Sequence, residues 1–178
     1  GYLKTQATPG AIELIEWNEN NFSELKEAIK NSDIVINLIG ILYETRKQKF
    51  YNIHSGIPEA VSRICSESDV KKFIHVSAIG ASETSKSLYQ KSKYQGEVKA
   101  LNNFKNTVIV RPSVVCGTED NFTNLFSKLS FLPVIPIVGI NYNFQPILVT
   151  DVADAIAQAI ETKGNEGKIY EIGGPKVI

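Results

Sequence analysis

Tyr89 and Lys93 stand four residues apart in the run Tyr89-Gln90-Lys91-Ser92-Lys93. On a helix this spacing puts a phenol and an ammonium on one face, within reach of a common ligand. A cation beside a phenol stabilises the phenolate. The pair is therefore expected to draw the Tyr89 pKa down from about 10 towards a value useful for proton transfer. The same ammonium is able to bond a ribose hydroxyl and hold a nicotinamide in place. Alone the pair is a weak signal. Seven Tyr and sixteen Lys in 178 residues give about 0.6 such matches by chance, and a surface helix with unrelated Tyr and Lys reads the same way.

The elements around the pair carry more information. Ala11–Trp17 alternates enough for a strand, and Phe22, Leu25, Ala28 and Ile29 then fall at helical spacing, with Asn21 and Glu24 placed as a capping box. Asp33–Gly40 is a nearly continuous apolar run, the pattern of a parallel strand buried on both faces. Phe50–Ser68 reads as a helix, Lys72–Ala78 as a strand, Ser87–Asn103 as the helix of Tyr89 and Lys93, and Thr107–Arg111 as a strand. A short helix over Phe122–Leu132 follows, then a brief strand over Ile147–Val149, a periodic helix over Asp151–Thr162 and a last strand over Lys168–Gly173.

Helix and strand alternate throughout, which predicts an α/β domain with a doubly wound, mostly parallel sheet. Ligands in such sheets lie at the carboxyl ends of the strands. Tyr89 and Lys93 sit between a strand ending in Ser77-Ala78 and one ending in Arg111-Pro112, so the topology sends both towards that crevice.

Composition narrows the function classes. A chain of 178 residues, 43% hydrophobic and 21% charged, holds one sizeable core. Nineteen basic against nineteen acidic side chains, with no block of one sign, argue against a nucleic-acid binder. Two cysteines, Cys65 and Cys116, and two histidines, His54 and His75, make neither a disulfide framework nor a metal-ligand cluster. The longest apolar runs, Ile34–Leu42 and Phe131–Ile140, fall short of the ~20 residues that span a bilayer. Two sequons, at Asn21 and Asn121, stand where helices should begin, and Asn is a good N-cap, so capping is the preferred reading.

No GxGxxG or GxxGxxG opens a helix, and neither GxxxxGK[ST] nor GxSxG occurs. The chain also lacks Met. It reads as an internal piece of a longer protein, whose first strand and glycine-rich turn are expected before Gly1.

The phrases DIVINLIG, KKFIHVSAIGAS, YQKSKYQGE, VIVRPSVVCGTEDNF, FQPILVTDVADAI and YEIGGP occur in this order. In that order they resemble the extended and atypical short-chain dehydrogenase/reductases, a family with an NAD(P)-binding Rossmann fold. IEWNENN, SDIVINLIG, KFIHVSAIGAS, EDNF and FQP point to the branch related to the Rossmann-fold accessory subunit of mitochondrial NADH:ubiquinone oxidoreductase (complex I) and its bacterial relatives. The likeness runs from about Ala11 to Pro175.

The resemblance implies a bound NAD or NADP. It places Asn18 near adenine. It sets Asn37, Leu38, Ile39 and Gly40 along the ribose and pyrophosphate, and Val76, Ser77 and Ala78 under the nicotinamide. Tyr89 and Lys93 match the family's Tyr and Lys, and Pro112, Ser113 and Val114 match the turn beside the nicotinamide amide. Residues 117–146 and 174–178 are expected to form a smaller substrate-side lobe on a single domain. The family's catalytic Ser or Thr falls on Ala78, and a strand residue one place away, Ser77, should face the other side.

Other residues have plainer readings. His75, inside a buried strand, is expected to be a satisfied core histidine, and His54 a helix residue for which a proton relay is the sharper alternative. Cys116 reads as a small buried residue, Asp151 as a helix cap, Glu119-Asp120 as helix-start carboxylates, and Trp17 as core or as a neighbour of adenine. Phe131–Ile140 reads as a docking loop or as cleft lining.

Two functions remain open on the sequence. One is a cofactor-holding accessory or assembly subunit with respiratory complex I subunits as partners, in the bacterial cytoplasm or the mitochondrial matrix and peripheral to the inner membrane. The other is an active oxidoreductase, epimerase or dehydratase on a nucleotide-sugar or small carbonyl substrate, with Tyr89 as acid/base and Lys93 as its activator.

Overall fold

Side chains alternating along Lys72–Val76 (β2) serve two separate cores. Phe73 enters a cluster with Ile29, Ile53, Ile57, Val61 and Ala100, while Ile74 enters another with Val108, Val110, Val152, Ile156 and Ala159. A strand apolar on both faces is what a sheet covered by helices on both sides requires. The computed structural model, which describes residues 8, 11–17, 22–117 and 143–177, has that architecture.

In chain order, α1 (Ser23–Lys30) leads to β1 (Ile34–Asn37). A π-helical turn (Tyr51–Gly56) runs into α2 (Ile57–Ser66), then β2 and α3 (Leu88–Asn103). There follow β3 (Thr107–Pro112), β4 (Val115–Cys116), β5 (Ile147–Leu148), α4 (Val149–Glu161) and β6 (Ile169–Ile172). β1, β2, β3 and β6 form one parallel sheet in that spatial order, and β4 and β5 pair separately, also in parallel. Helices α1, α2 and α3 supply one core and α4 the other. The expected doubly wound α/β class is present.

Several local expectations give way. Residues 11–17 form no strand: alternation is only a side-chain pattern, and this stretch has no ladder partner among the described residues. β1 is not buried on both faces. Ile36 is 42% exposed and Ile34 37%, because β1 lies at an edge of the sheet and no described element covers that side. The N-cap of α1 is Phe22, without a side-chain capping bond, and Asn21 lies outside the described residues. α4 starts at Val149 rather than Val152, so Asp151 sits in its first turn instead of capping it. There its carboxylate still favours the helix dipole. Asn121, Glu119-Asp120, Phe122–Leu132 and Phe131–Ile140, most of the expected smaller lobe, also lie outside the described residues.

The helix expected over 50–68 is divided by Pro58. A proline has no N–H to return to the carbonyl four residues back, here His54, and its ring crowds that carbonyl. The backbone answers with a π turn in which Ile57 N–H reaches the Asn52 carbonyl. The displaced His54 carbonyl abuts Gly96 of α3, where a Cβ would overlap its oxygen. Glycine at this point lets α3 lie close against the turn.

Two cations, a half-buried Arg111 and a buried Lys72, fasten helices to the sheet. Arg111 on β3 donates to Glu97 of α3 through Nε (2.9 Å) and Nη2 (2.6 Å), a bidentate pair that fixes α3 against the strand. Lys72 donates Nζ to the carbonyls of Ala159, Ile160 and Thr162 and to Asn165 Oδ1, at 2.6–3.0 Å. Its ammonium thus lies on the unsatisfied C-terminal carbonyls and negative dipole end of α4. Lys72→Met, which keeps the stem and removes these bonds, is expected to lower unfolding free energy by about 2 kcal/mol, measurable by urea denaturation. An unchanged midpoint would show that the cap contributes nothing.

Candidate functional site

A cleft of about 570 Å³ opens at the carboxyl ends of β1, β2 and β3, within the ~300–1,000 Å³ common for cofactor sites. Leu38 and Gly40 line it from the β1 tip, Val76, Ser77 and Ala78 from β2, Pro112, Ser113 and Val114 from β3, and Tyr89 and Lys93 from α3. Ten of the expected site residues therefore share one cleft. Ile39 is not among its lining residues, and its N–H is bound to Asn37 Oδ1 at 3.1 Å. Asn18 lies outside the described residues. Ile41, Leu42, Ile79 and Val115 also line the cleft; their signal was position, since each flanks a strand tip already singled out.

α3 places its pair by ordinary means. The Ser87 side chain accepts from Gln90 N–H and caps the helix, and the 89/93 spacing then puts both groups on the cleft side. Lys93 is 4% exposed, and Nζ donates to the Val76 carbonyl at 3.0 Å. An ammonium has three donors, so this leaves capacity for a ligand. Gly40 stands in front of it: a Cβ there would sit 3.6 Å from Lys93 Nζ and 3.7 Å from His54 Nε2. Both are ordinary contact distances, so glycine here leaves the space before the Lys93 ammonium free of a methyl group.

Burial lowers Lys93 to about 8, opposed by Glu97, and raises Tyr89 above its ordinary value. The expected downward shift of Tyr89 does not occur. Lys93 is directed onto the Val76 carbonyl, and desolvation of the phenol decides the direction. Ser77 and Ala78 both line the cleft, and the Ser77 hydroxyl is buried without a partner among the described residues.

His54 proves more central than its sequence context indicates. It is 1% exposed, stacks on Phe50 with centroids 5.1 Å apart and meets the Tyr89 ring edge-on at 5.2 Å. Its link to Ser92 joins residues 38 apart in sequence, a separation no local pattern bridges. His75 is only half satisfied. Asn37 Oδ1 accepts from Ile39 N–H, so its amide donates to His75 Nδ1 at 3.1 Å, and His75 Nε2 has no partner among the described residues.

Both histidines are held neutral. Burial, then Lys93, brings His54 to about 4, and burial, Lys93 and His54 bring His75 to about 3. Because these folded pKa values lie below the ordinary 6.5, the unfolded chain takes up protons first as pH falls. Stability is thus complete above about 6.5 and declines towards pH 4, with a slope approaching 1.4 kcal/mol per pH unit for each histidine. Urea midpoints at pH 7.5, 6 and 5 check this, and a flat profile would contradict it.

Among the described residues no group of His, Cys, Asp and Glu is placed to hold a metal. Cys65 is buried and pushed up to about 12, which makes it inert at neutral pH. Cys116 is half-buried in β4. Trp17 tilts against Phe22 at 5.4 Å beside the first core.

No family model matches the chain. The mitochondrial NADH dehydrogenase (ubiquinone) 1 alpha subcomplex subunit 9 of Mus musculus is 33% identical over 176 residues, 98% of this chain and 47% of that protein. The same subunit of Dictyostelium discoideum is 38% identical over 180 residues, covering 99% and 49%. The chain thus spans about half the length of these relatives. The UDP-glucuronic acid 4-epimerase of Bacillus cereus, solved in complex with NAD, matches with a TM-score of 0.76 at 21% identity, over 92% of this chain and 61% of that one.

The chain is thus similar in sequence to these subunits and in fold to the NAD-bound epimerase. The sequence likeness is to the branch related to the accessory subunit of NADH:ubiquinone oxidoreductase, the one its phrases point to. As the resemblance to short-chain dehydrogenase/reductases implies, a Tyr-x-x-x-Lys pair borders the strand tips. Ala78 stands where that resemblance sets a Ser or Thr.

Proposed function

We propose that this chain holds a nicotinamide dinucleotide, NAD or NADP, at the tips of β1, β2 and β3. It serves as a cofactor-holding accessory or assembly subunit of an NADH:quinone oxidoreductase. The observation that carries the reading is the buried Lys93 ammonium, with one donor on Val76 and a glycine floor before it. A ribose diol is the kind of neutral acceptor such a cation takes. Lys93 would bind the ribose, Tyr89 would add its hydroxyl, and the Pro112–Val114 turn would flank the carboxamide. A nicotinamide supplies hydride chemistry when bound. Binding to the folded state alone would also stabilise the chain by mass action.

Three features weigh against turnover. Ala78 offers no hydroxyl to a substrate carbonyl, the Ser77 hydroxyl is buried, and burial raises the Tyr89 phenol away from acid/base use near neutrality. The relatives named above are mitochondrial, and no helix among the described residues is long and apolar enough to cross a membrane. The chain would then work in the mitochondrial matrix or a bacterial cytoplasm, against a membrane-bound partner.

The test uses the full-length protein with NADH, NADPH and UDP-sugars. Tyr89→Phe should leave dinucleotide affinity within about threefold, since it loses at most one neutral hydrogen bond, and should leave co-purification with respiratory-chain subunits intact. A pH-dependent turnover that collapses in Tyr89→Phe would replace this reading with the enzymatic one.

A further inference from the structure

The loop after β1 and the helix of Tyr89 and Lys93 are joined by one side chain. Ile41 N–H donates to His54 Nε2 at 3.0 Å. A backbone N–H can only donate, so Nε2 accepts and the ring proton resides on Nδ1. Nδ1–H then donates to Ser92 Oγ at 2.9 Å, and Ser92 passes its own hydrogen to the Tyr89 carbonyl at 2.7 Å. Every donor in this line meets an acceptor, and the direction is fixed from the loop to the helix.

We propose that His54 is a positioning residue of the strand-tip site: in its Nδ1–H form it ties the Gly40–Leu42 loop to α3, and so sets the distance between the glycine floor and the Lys93 ammonium. The inference rests on the dinucleotide-holding reading for its consequence, not for its geometry. His54 approaches the cleft only beneath Gly40, so its effect on a ligand passes through Ile41 and Ser92. Phe50 stacks on one side of the ring and Tyr89 meets it edge-on. With the π turn held against Gly96, these leave the imidazole one orientation. A strut of this kind matters because loops relax readily unless their backbone groups are bound, and a shift of the Gly40 floor would separate it from the amine.

The test compares full-length wild type with His54→Phe, His54→Gln and Ser92→Ala. Phe fills the ring space without either bond, Gln offers an acceptor for Ile41 and a donor for Ser92, and Ser92→Ala removes the helix end alone. Two quantities are read: amide hydrogen exchange at Ile41, and affinity for NADH by fluorescence. His54→Phe should speed Ile41 exchange about tenfold, the effect of losing the one bond to its N–H, and weaken NADH binding about tenfold. Ser92→Ala should do so in smaller measure, and His54→Gln should restore both to within about threefold of wild type. Unchanged exchange and affinity in His54→Phe, or His54→Gln as impaired as His54→Phe, would overturn the proposal. Failure of wild type to bind NADH would count against the dinucleotide reading alone, because Ile41 exchange still reports on the strut.

Discussion

Gly96→Ala should lower the unfolding free energy by about 3–4 kcal/mol, the upper end of what overpacking costs. The added methyl would overlap the His54 carbonyl oxygen and press on Pro58 Cγ at 3.3 Å. A backbone carbonyl has no rotamer by which to move aside, so the π turn and α3 must separate. That separation displaces His54 from one side and Tyr89 and Lys93 from the other. Gly56→Ala is the informative partner. Gly56 has helical angles, and a Cβ there would meet only the Tyr51 carbonyl at an ordinary 3.8 Å. That exchange should be neutral or stabilise by up to about 1 kcal/mol through helix propensity. Urea unfolding of the two variants side by side separates the loss of a close approach from the general cost of replacing glycine. Equal midpoints would mean that the helices do not meet at Gly96.

Lys93→Met should weaken dinucleotide binding about 100-fold while leaving the fold intact. Two charge-assisted hydrogen bonds at ~1.5–3 kcal/mol each make that loss a modest expectation. Stability should not fall with it. Burial depresses Lys93 to about 8, so the folded state holds this charge at a cost, and an apolar side chain of similar length removes that cost. A variant with unchanged or raised Tm and lost affinity therefore identifies a binding group rather than a structural one. The same depressed pKa gives the sign of the pH effect. The ammonium persists at neutral pH and is lost as pH rises past about 8, so affinity should hold below that point and fall above it. Isothermal titration with NADH between pH 7 and 9.5 reads both results.

The sequence carried the architecture further than it carried the chemistry. Alternating helices and strands, with Tyr89 and Lys93 at helical spacing between two strand ends, were enough to place both on the same cleft wall. Such spacing depends only on helix geometry. What failed depended on neighbours distant in the chain. Residues 11–17 alternate yet form no strand, because pairing rather than pattern makes a strand. Ile34 and Ile36 are apolar yet partly exposed, because β1 lies at an edge. The Tyr89 shift runs opposite to what the spacing predicts, since sequence shows that a lysine is near but not that it points at the Val76 carbonyl. His54 and Ser92 are 38 residues apart, and only the fold brings them together. Pro58 and Gly96 were visible as letters, but the π turn they permit was not.

In the working protein this cleft is expected to hold a nicotinamide dinucleotide. The most direct test is to isolate the full-length protein from its source under native conditions, release its bound nucleotides with acid and count them by mass spectrometry. Close to one NAD or NADP per chain is expected, retained in Tyr89→Phe and absent from Lys93→Met. Wild-type protein that comes away folded and without a dinucleotide, and takes none up from millimolar NADH or NADPH, would contradict it.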